Sequence, residues 1–177
     1  TASAAAGAFY AIQTLRQLAL TYKNDIPCLF IYDKPAVAWR GALLDTCRSF
    51  YSVAFVKKFI DLCAFHKMNR FHWHLTDDQG WRLPVPEYPL LTRIGSERWG
   101  HCMPLLKINL DSNDMPIRQY YSDEEISSVV EYARQRHITI VPEVELPGHV
   151  SALLASYPEF GCTGGPYAVE NRTGIFS

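Results

Sequence analysis

No continuous run of 18 apolar residues occurs in the 177-residue chain, so the sequence predicts no transmembrane helix. Basic residues are not clustered either: 17 Lys and Arg stand against 18 Asp and Glu, which gives a net charge of −1. Because phosphate binding needs clustered Lys and Arg, nucleic acid is not an expected partner. The 48% hydrophobic and 20% charged content is typical of a globular chain that is long enough for one domain with its own core.

Cysteine is scarce and irregularly spaced, and no C-x-x-C motif occurs. The five cysteines are Cys28, Cys47, Cys63, Cys102 and Cys162. This spacing argues against a structural zinc site and against a disulfide scaffold. Cys63 falls on the apolar side of a predicted helix, so we expect its thiol to be buried.

Strands and helices alternate along most of the chain. Short apolar runs predict three buried strands, AWRGALLD, FHWHLT and ITIVPEVEL. Helices are predicted after Ser52, a candidate N-cap, and after Ser122, which forms a capping box with Glu125. A further helix, VSALLASY, follows the third strand. This alternation predicts a parallel sheet with right-handed crossovers and therefore an α/β fold.

Two other segments lie outside these strand–helix pairs. Residues 4 to 20 predict a helix with Phe9, Ile12 and Leu15 along one side. Residues 77 to 121 contain five prolines, and a stretch of this length is usually functional or holds small elements of its own. The N-terminal stretch has no Met, no basic segment and no cleavage pattern, so we expect it to come from the inside of a longer protein.

Polar side chains gather where each predicted strand ends. The residues concerned are Asp45 and Arg48 after the first strand, Asp77 and Asp78 after the second, and Glu143, Glu145 and His149 after the third. In a (β/α)8 barrel the carboxyl ends of the strands carry the active site. Three strands are too few to close such a barrel, so the sequence predicts part of one.

Three sequence strings resemble a known enzyme family. WRGALLDTCRSF, KMNRFHWHLTDDQGWR and ITIVPEVELPGH look like the first three βα units of the family 20 glycoside hydrolases, the β-N-acetylhexosaminidases. The segment GAFYAIQTLRQL resembles the last helix of the small α+β domain that precedes the barrel in that family. The resemblance implies that residues 1–36 end this small domain and that residues 37–177 form the N-terminal, incomplete part of a (β/α)8 TIM barrel.

The resemblance also implies an activity. Family members hydrolyse terminal β-linked N-acetylglucosamine or N-acetylgalactosamine with retention of configuration, and the sugar's own 2-acetamido oxygen attacks the anomeric carbon. The implied partner is a glycan or glycoconjugate with a terminal N-acetylhexosamine, and no cofactor or metal is implied. The family favours an extracytoplasmic, secreted or lysosomal-type location and allows a homo-oligomer.

Four residues match positions of the family motifs. Arg48 matches the arginine that binds hydroxyls of the terminal sugar, a task that suits a planar guanidinium. Asp77 and His149 match a relay that hydrogen-bonds toward the general acid and tunes its pKa. Glu145 matches a position that is usually acidic and lies near this relay, and it is assigned to substrate binding.

One expected pair of residues is missing. The family's Asp-Glu pair, which supplies the general acid, follows a glycine at the end of the fourth strand, and the chain stops at GIFS before such a strand. Asp123 and Glu124 are adjacent but begin a predicted helix, where capping and the helix dipole explain them. We therefore expect this chain alone to be inactive. The segment HCMPLLKINLDSNDMPI fits the family pattern poorly, and no role is assigned to it.

Two other functions compete with this one. The first is a non-catalytic carbohydrate-binding or structural truncation product. The second is a metal-dependent hydrolase, because His72 and His74 lie at alternate positions of one strand and so face the same side, with His149 as a third ligand. The competing view of the two histidines is that at least one is a satisfied barrel-core residue.

Several neighbouring side chains have plainer structural explanations. Asp78 is expected to orient a loop or to bind a backbone N–H rather than to bind sugar. Trp81 and Arg82 are expected to anchor a loop, and Trp39 is expected in the core.

Overall fold

The structure is a computed structural model that describes residues 2–23, 25–98 and 117–171. The larger elements are helices α1 (Ala5–Tyr22), α2 (Val53–Phe65), α4 (Asp123–Arg134) and α5 (Ser151–Ser156), with strands β1 (Gly41–Asp45), β2 (Arg70–His74) and β7 (Thr139–Glu143). Between β2 and α4 lie the short elements β3 (Thr76–Asp77), β4 (Gly80–Trp81), α3 (Leu90–Arg93), β5 (Glu97–Arg98) and β6 (Ile117–Arg118). A 3-10 turn (Pro158–Phe160) follows α5. The long stretch after β2 therefore holds small elements, as predicted.

The three long strands form one parallel sheet in the order β1-β2-β7. They pair in register, so that Asp45 lies opposite His74 and His74 lies opposite Glu143. All three strands therefore end at the same edge of the sheet. The predicted parallel α/β arrangement is confirmed, and it brings the polar strand ends together.

Helices α2 and α4 cover one face of the sheet. Alternation along β2 points Phe71 and Trp73 to this face, where they join Val56 and Val129 in the main core. Cys63 is buried in the same cluster, as predicted. None of the helices in the described ranges is long and apolar enough to cross a membrane.

The opposite face of the sheet carries the alternate residues and is more open. Leu43 of β1 is 50% exposed, so the prediction that the first strand is buried throughout is wrong on this side. Trp39, which we expected in the core, is also exposed and lies over the Arg70 guanidinium, 4.7 Å from Cζ to the ring centroid. The reason is that α2 and α4 both pack on the face with Phe71 and Trp73.

Helix α1 packs with only part of the predicted apolar side, since Phe9 meets the main core but the rest of that side does not. Gln13 is buried and Gln17 Nε2 donates to the Phe65 carbonyl at 2.7 Å, whereas Ile12 and Leu15 are 54% and 60% exposed. Apolar residues do recur at helical spacing along α1, but Ile12 and Leu15 do not face α2. The boundary at residue 36 stays a prediction.

Local capping signals in the sequence are confirmed. The Ser52 hydroxyl caps α2 by accepting a hydrogen bond from Phe55 N. At α4 the Ser122 hydroxyl accepts from Glu125 N at 3.2 Å, and Glu125 Oε2 accepts from Ser122 N at 2.9 Å. Asp123 and Glu124 lie exposed in the first turn of this helix, in agreement with a capping role.

Arg82 anchors the loops at the carboxyl edge of the sheet. Its buried guanidinium donates five hydrogen bonds to main-chain carbonyls: Cys47 at 3.2 and 2.6 Å, Gln79 at 3.2 Å, Ser96 at 3.0 Å and Gln119 at 2.7 Å. A guanidinium has five N–H donors, so all of them are used. Burial lowers the pKa of this group. The predicted role of Arg82 as a loop anchor is confirmed.

Replacing Gly80 by Ala should destabilise the protein by about 2–4 kcal/mol, because the new methyl group forces a buried, fully bonded side chain to move. An ideal Cβ at Gly80 would lie 2.3 Å from Arg82 Nη2. The matched control is Gly148→Ala, since a Cβ at that position meets nothing within 4 Å. Thermal unfolding of both variants at low protein concentration tests this, and equal midpoints would contradict it.

The 177-residue chain alone should associate in solution. Among the described residues, β1 and β7 each pair with a neighbour on one side only, and Leu43 and Trp39 expose apolar surface beside them. Open strand edges next to apolar surface favour association. Size-exclusion chromatography with light scattering should detect species heavier than a monomer, and a monodisperse, cooperatively melting monomer would contradict the expectation.

Candidate active site

Arg48 is held between two carboxylates at the end of β1. Asp45 Oδ1 accepts hydrogen bonds from the backbone N–H groups of Cys47, at 3.0 Å, and of Arg48, at 2.9 Å, so the chain turns back sharply. This turn places Arg48 Nη1 2.9 Å from Asp45 Oδ2 and Nη2 2.6 Å from Asp77 Oδ2. Partial burial would lower the pKa of the guanidinium, but the hydrogen bond to Asp45 and the charge of Asp77 raise it. Arg48 is therefore a firmly oriented cation.

Asp77 lies at the floor of the site and is 1% exposed. It belongs to β3, whose hairpin with β4 pairs Asp77 with Gly80. Its Oδ1 accepts from Asp78 N at 2.6 Å, which leaves Oδ2 facing Arg48. The structure thus brings together the predicted residues Arg48 and Asp77 from two different strand ends.

Asp78 fastens the turn between β3 and β4 to the start of α5. Its buried carboxylate accepts from Ser151 N at 3.0 Å and from Ser151 Oγ at 2.7 Å, and its other oxygen lies 3.0 Å from His149 Nδ1. Burial would raise the pKa of Asp78, but the hydrogen bonds from Ser151 and His149 hold it below its usual range. The orienting role predicted for Asp78 agrees with these contacts.

His149 lies close to both aspartates of the DD pair. Its Nδ1 is 3.5 Å from Asp77 Oδ1 but makes its hydrogen bond with Asp78, at 3.0 Å. The hydrogen bond to Asp78 and the charge of Asp77 raise the pKa of the His149 imidazole. The sequence predicted Asp77 as the partner, and the structure adds Asp78, since adjacent aspartates in a tight turn both reach the ring.

Glu145 lies beside a second acid. Its backbone N–H donates to Thr76 Oγ1 at 2.8 Å, which fixes the chain after β7 against β3. A hydrogen bond with Glu143 raises the pKa of the Glu145 carboxyl, and burial and the charge of Glu143 act in the same direction. Glu143 also contacts His72 Nε2.

His74 is a site residue that the sequence treated only as a possible metal ligand or as a satisfied core histidine. It is 4% exposed, and its Nε2 lies 2.9 Å from the Thr76 carbonyl oxygen and 3.3 Å from Asp77 Oδ2. Its Nδ1 faces Asp45 Oδ1 at 3.5 Å. The available signal was its place as the last residue of β2, on the same face as His72 and directly before the DD segment.

The donor set does not fit a metal ion. Ligand atoms of His74, Glu143 and Glu145 lie within 4.8 Å of one another, as do those of Asp77, Asp78 and His149. However, a carbonyl only accepts, so His74 Nε2 must carry a hydrogen toward Thr76 and has no lone pair for a metal. In the second group the carboxylates already bind Arg48, Ser151 and His149. Both histidines of the HxH motif already face Glu143, and His74 also bonds the Thr76 carbonyl.

Replacing Asp78 by Asn should lower the pKa of His149 toward its ordinary value near ~6.5, because the charged hydrogen-bond acceptor is removed. In the unaltered protein this contact should stabilise the fold fully below about pH 6.5, and the stabilisation should be lost as the pH rises through the raised pKa of the folded state. An NMR titration of the ring checks this. Asp33→Asn, at an exposed pair with Lys67, is the control. If His149 titrates in both variants as it does in the unaltered protein, the contact with Asp78 does not raise its pKa and the prediction is wrong.

Comparison with known proteins identifies the family. A model of the glycosyl hydrolase family 20 catalytic domain matches residues 37–175. Beta-hexosaminidase of Porphyromonas gingivalis is 42% identical over 165 residues, covering 88% of this chain and 20% of that protein. Beta-hexosaminidase of Akkermansia muciniphila is 42% identical over 159 residues, covering 88% of this chain and 30% of that protein. The chain therefore spans less than a third of these two relatives.

Solved structures agree with this match. A crystal structure of a β-N-acetylhexosaminidase superposes with a TM-score of 0.84 at 40% identity, covering 95% of this chain and 35% of that one. A family 20 exo-β-N-acetylglucosaminidase from Vibrio harveyi, solved with N-acetylglucosamine, superposes with a TM-score of 0.63 at 42% identity, covering 72% and 20% of the two chains. The expected α/β fold, similar to part of the family's TIM barrel, is confirmed. The chain belongs to glycosyl hydrolase family 20.

Proposed function

We propose that the protein that carries this chain is a retaining β-N-acetylhexosaminidase that removes terminal β-linked N-acetylglucosamine or N-acetylgalactosamine from glycans. Membership of the family and the similarity to two β-hexosaminidases support this activity. The observation that carries the proposal is the orientation of Arg48 between Asp45 and Asp77 at the carboxyl edge of the parallel sheet.

Arg48 has the geometry of a sugar-binding residue. Its side chain is 34% exposed, so it reaches the open side of the site while two carboxylates fix its plane. The two ion pairs use one N–H each, and a guanidinium has five. The remaining donors can therefore bind hydroxyl oxygens of a terminal sugar without first having to be ordered.

The reaction would divide its tasks between this chain and later strands. The family mechanism requires the 2-acetamido oxygen of the substrate to attack the anomeric carbon, while a glutamic acid protonates the departing glycosidic oxygen. In this chain Arg48 would hold the sugar, and Glu145 would line the substrate side of the site. The Asp-Glu pair of the family would come from a fourth strand.

His149 would connect this chain to the general acid. Because Nδ1 is directed at Asp78, with Asp77 at 3.5 Å, Nε2 is the nitrogen left to meet a group from a later strand. Both aspartates favour a protonated ring, which can hydrogen-bond to the acid carboxyl and so adjust its pKa. Asp77 and Asp78 would thus act together in the relay.

The separated 177-residue chain should not turn over substrate. Asp123 and Glu124 are its only adjacent Asp-Glu residues, and they lie in the first turn of α4. Sugar binding without hydrolysis by the full-length protein would favour the non-catalytic carbohydrate-binding alternative. Hydrolysis that is lost on chelation and regained with zinc would favour the metal-dependent one.

Replacing Arg48 by Lys should raise KM at least about tenfold for p-nitrophenyl N-acetyl-β-glucosaminide in the full-length protein, because a single ammonium group cannot bridge two carboxylates and bind sugar. The conservative charge should preserve the fold, which circular dichroism checks. The control is Arg134→Lys, at an exposed pair with Glu131 on α4, and it should behave like the unaltered enzyme. Equal KM values for the two variants would show that Arg48 does not bind substrate.

A further inference from the structure

The imidazole of His74 lies beneath the two carboxylates that clamp Arg48. Nδ1 faces Asp45 Oδ1 at 3.5 Å, and Nε2 lies 3.3 Å from Asp77 Oδ2. Asp45 is the last residue of β1, His74 is the last of β2, and the register places them side by side. One buried ring therefore touches both acids that orient Arg48.

The hydrogen bond to Thr76 determines which nitrogen of His74 carries a hydrogen. The Thr76 carbonyl, 2.9 Å from Nε2, can only accept, so Nε2 is the donor. In a neutral ring, Nδ1 would then direct its lone pair at the negative oxygen of Asp45. A proton on Nδ1 replaces that repulsion with an attraction, so the geometry favours the imidazolium.

The charges around His74 act in the same direction. The groups that face the ring are Asp45 from β1, Asp77 from β3 and Glu143 from β7, the last with Oε1 3.8 Å from Nε2. Glu145, just after β7, also has a carboxylate oxygen within 4.8 Å of the ring. Arg48 is the cation on the far side of the two aspartates. Burial by itself would lower the pKa of His74, but the nearby carboxylates of Asp77, Asp45 and Glu143 raise it above its ordinary value.

We propose that His74 is a positioning residue of the sugar site, whose imidazolium holds the carboxylates of Asp45 and Asp77 in the orientation that directs the Arg48 guanidinium at the substrate. This inference rests on the proposed sugar-binding role of Arg48. If His74 lost its proton, Arg48 would be the one cation left between Asp45 and Asp77. Its guanidinium would then no longer be held in a single orientation. The effect should fall on substrate binding more than on bond cleavage, because Arg48 is proposed to hold the sugar.

The test is His74→Gln in the full-length protein. Gln keeps a donor for the Thr76 carbonyl but cannot supply a positive charge to Asp45. We expect KM for p-nitrophenyl N-acetyl-β-glucosaminide to rise about tenfold while kcat changes less than about threefold, since the positive charge is removed from beside the carboxylates that orient Arg48 and no reacting group is changed. In the unaltered enzyme KM should rise as the pH passes above the pKa of His74, and this alkaline rise should be absent from the variant.

The matched control is His66→Gln, because His66 is exposed beyond the end of α2, at the opposite edge of the sheet. A His74→Gln enzyme with unchanged KM, or with an unchanged alkaline rise in KM, would overturn the proposal. If kcat falls as strongly as KM rises and the melting transition collapses, His74 has only a structural role, and this would also overturn the proposal.

A second measurement needs no variant and separates this proposal from the proposed function. Nitrogen NMR of the His74 ring in the unaltered protein should show both nitrogens protonated near neutral pH. A neutral ring would overturn the positioning role whatever the activity. Absence of hydrolysis by the unaltered full-length protein would count against the hexosaminidase assignment, and the NMR result would still decide the charge state of His74.

Discussion

The carboxyl edge of the sheet depends on one buried guanidinium. Arg82 directs every N–H donor at a main-chain carbonyl, and these carbonyls belong to the loop after β1, the turn between β3 and β4, and the segments on either side of β5 and β6. Burying a cation is costly unless its hydrogen bonds are made, so these loops are held in the one arrangement that satisfies it. The Cys47 carbonyl, which accepts two of the bonds, directly precedes Arg48. The path of the site loop therefore follows from Arg82.

With the backbone of these loops fixed, the charges of the side chains determine the protonation of the site. Parallel strands in register bring Asp45, His74 and Glu143 to one level, and the β3–β4 hairpin adds Asp77 and Asp78. Acidic groups outnumber permanent cations here, with Arg48 between two of the carboxylates. Such an excess favours protonated histidines, and the pKa values of His74 and His149 are both raised. Arg48 therefore shares the site with two histidines whose protonated forms are favoured.

Local signals in the sequence predicted local structure well. The serines before α2 and α4 marked both helix starts, and apolar periodicity gave the three parallel strands. Burial was harder to predict, since Leu43, Ile12 and Leu15 are apolar but lie on faces that α2 and α4 do not cover. Periodicity identifies an apolar side, but only packing decides what that side meets.

The sequence predicted which residues belong to the site better than it predicted the contacts between them. Strand ends and family motifs brought forward Arg48, Asp77, Glu145 and His149, and the structure places all four at the same edge. Sequence could not distinguish which of two adjacent aspartates meets His149, because a turn decides it. It also could not show that His74 touches two acids, because Asp45 is distant along the chain and meets His74 only through strand register.

Arg82 binds main-chain atoms, which all amino acids share whatever their side chains are. Its acceptors at Cys47, Gln79, Ser96 and Gln119 are peptide oxygens, so the contact sets no requirement on side-chain identity at those four positions. The backbone path of these loops therefore does not depend on the side chains at these four positions. Substitutions in these loops can therefore change the side chains at the rim of the site, while the backbone path, and with it the position of Arg48, stays the same.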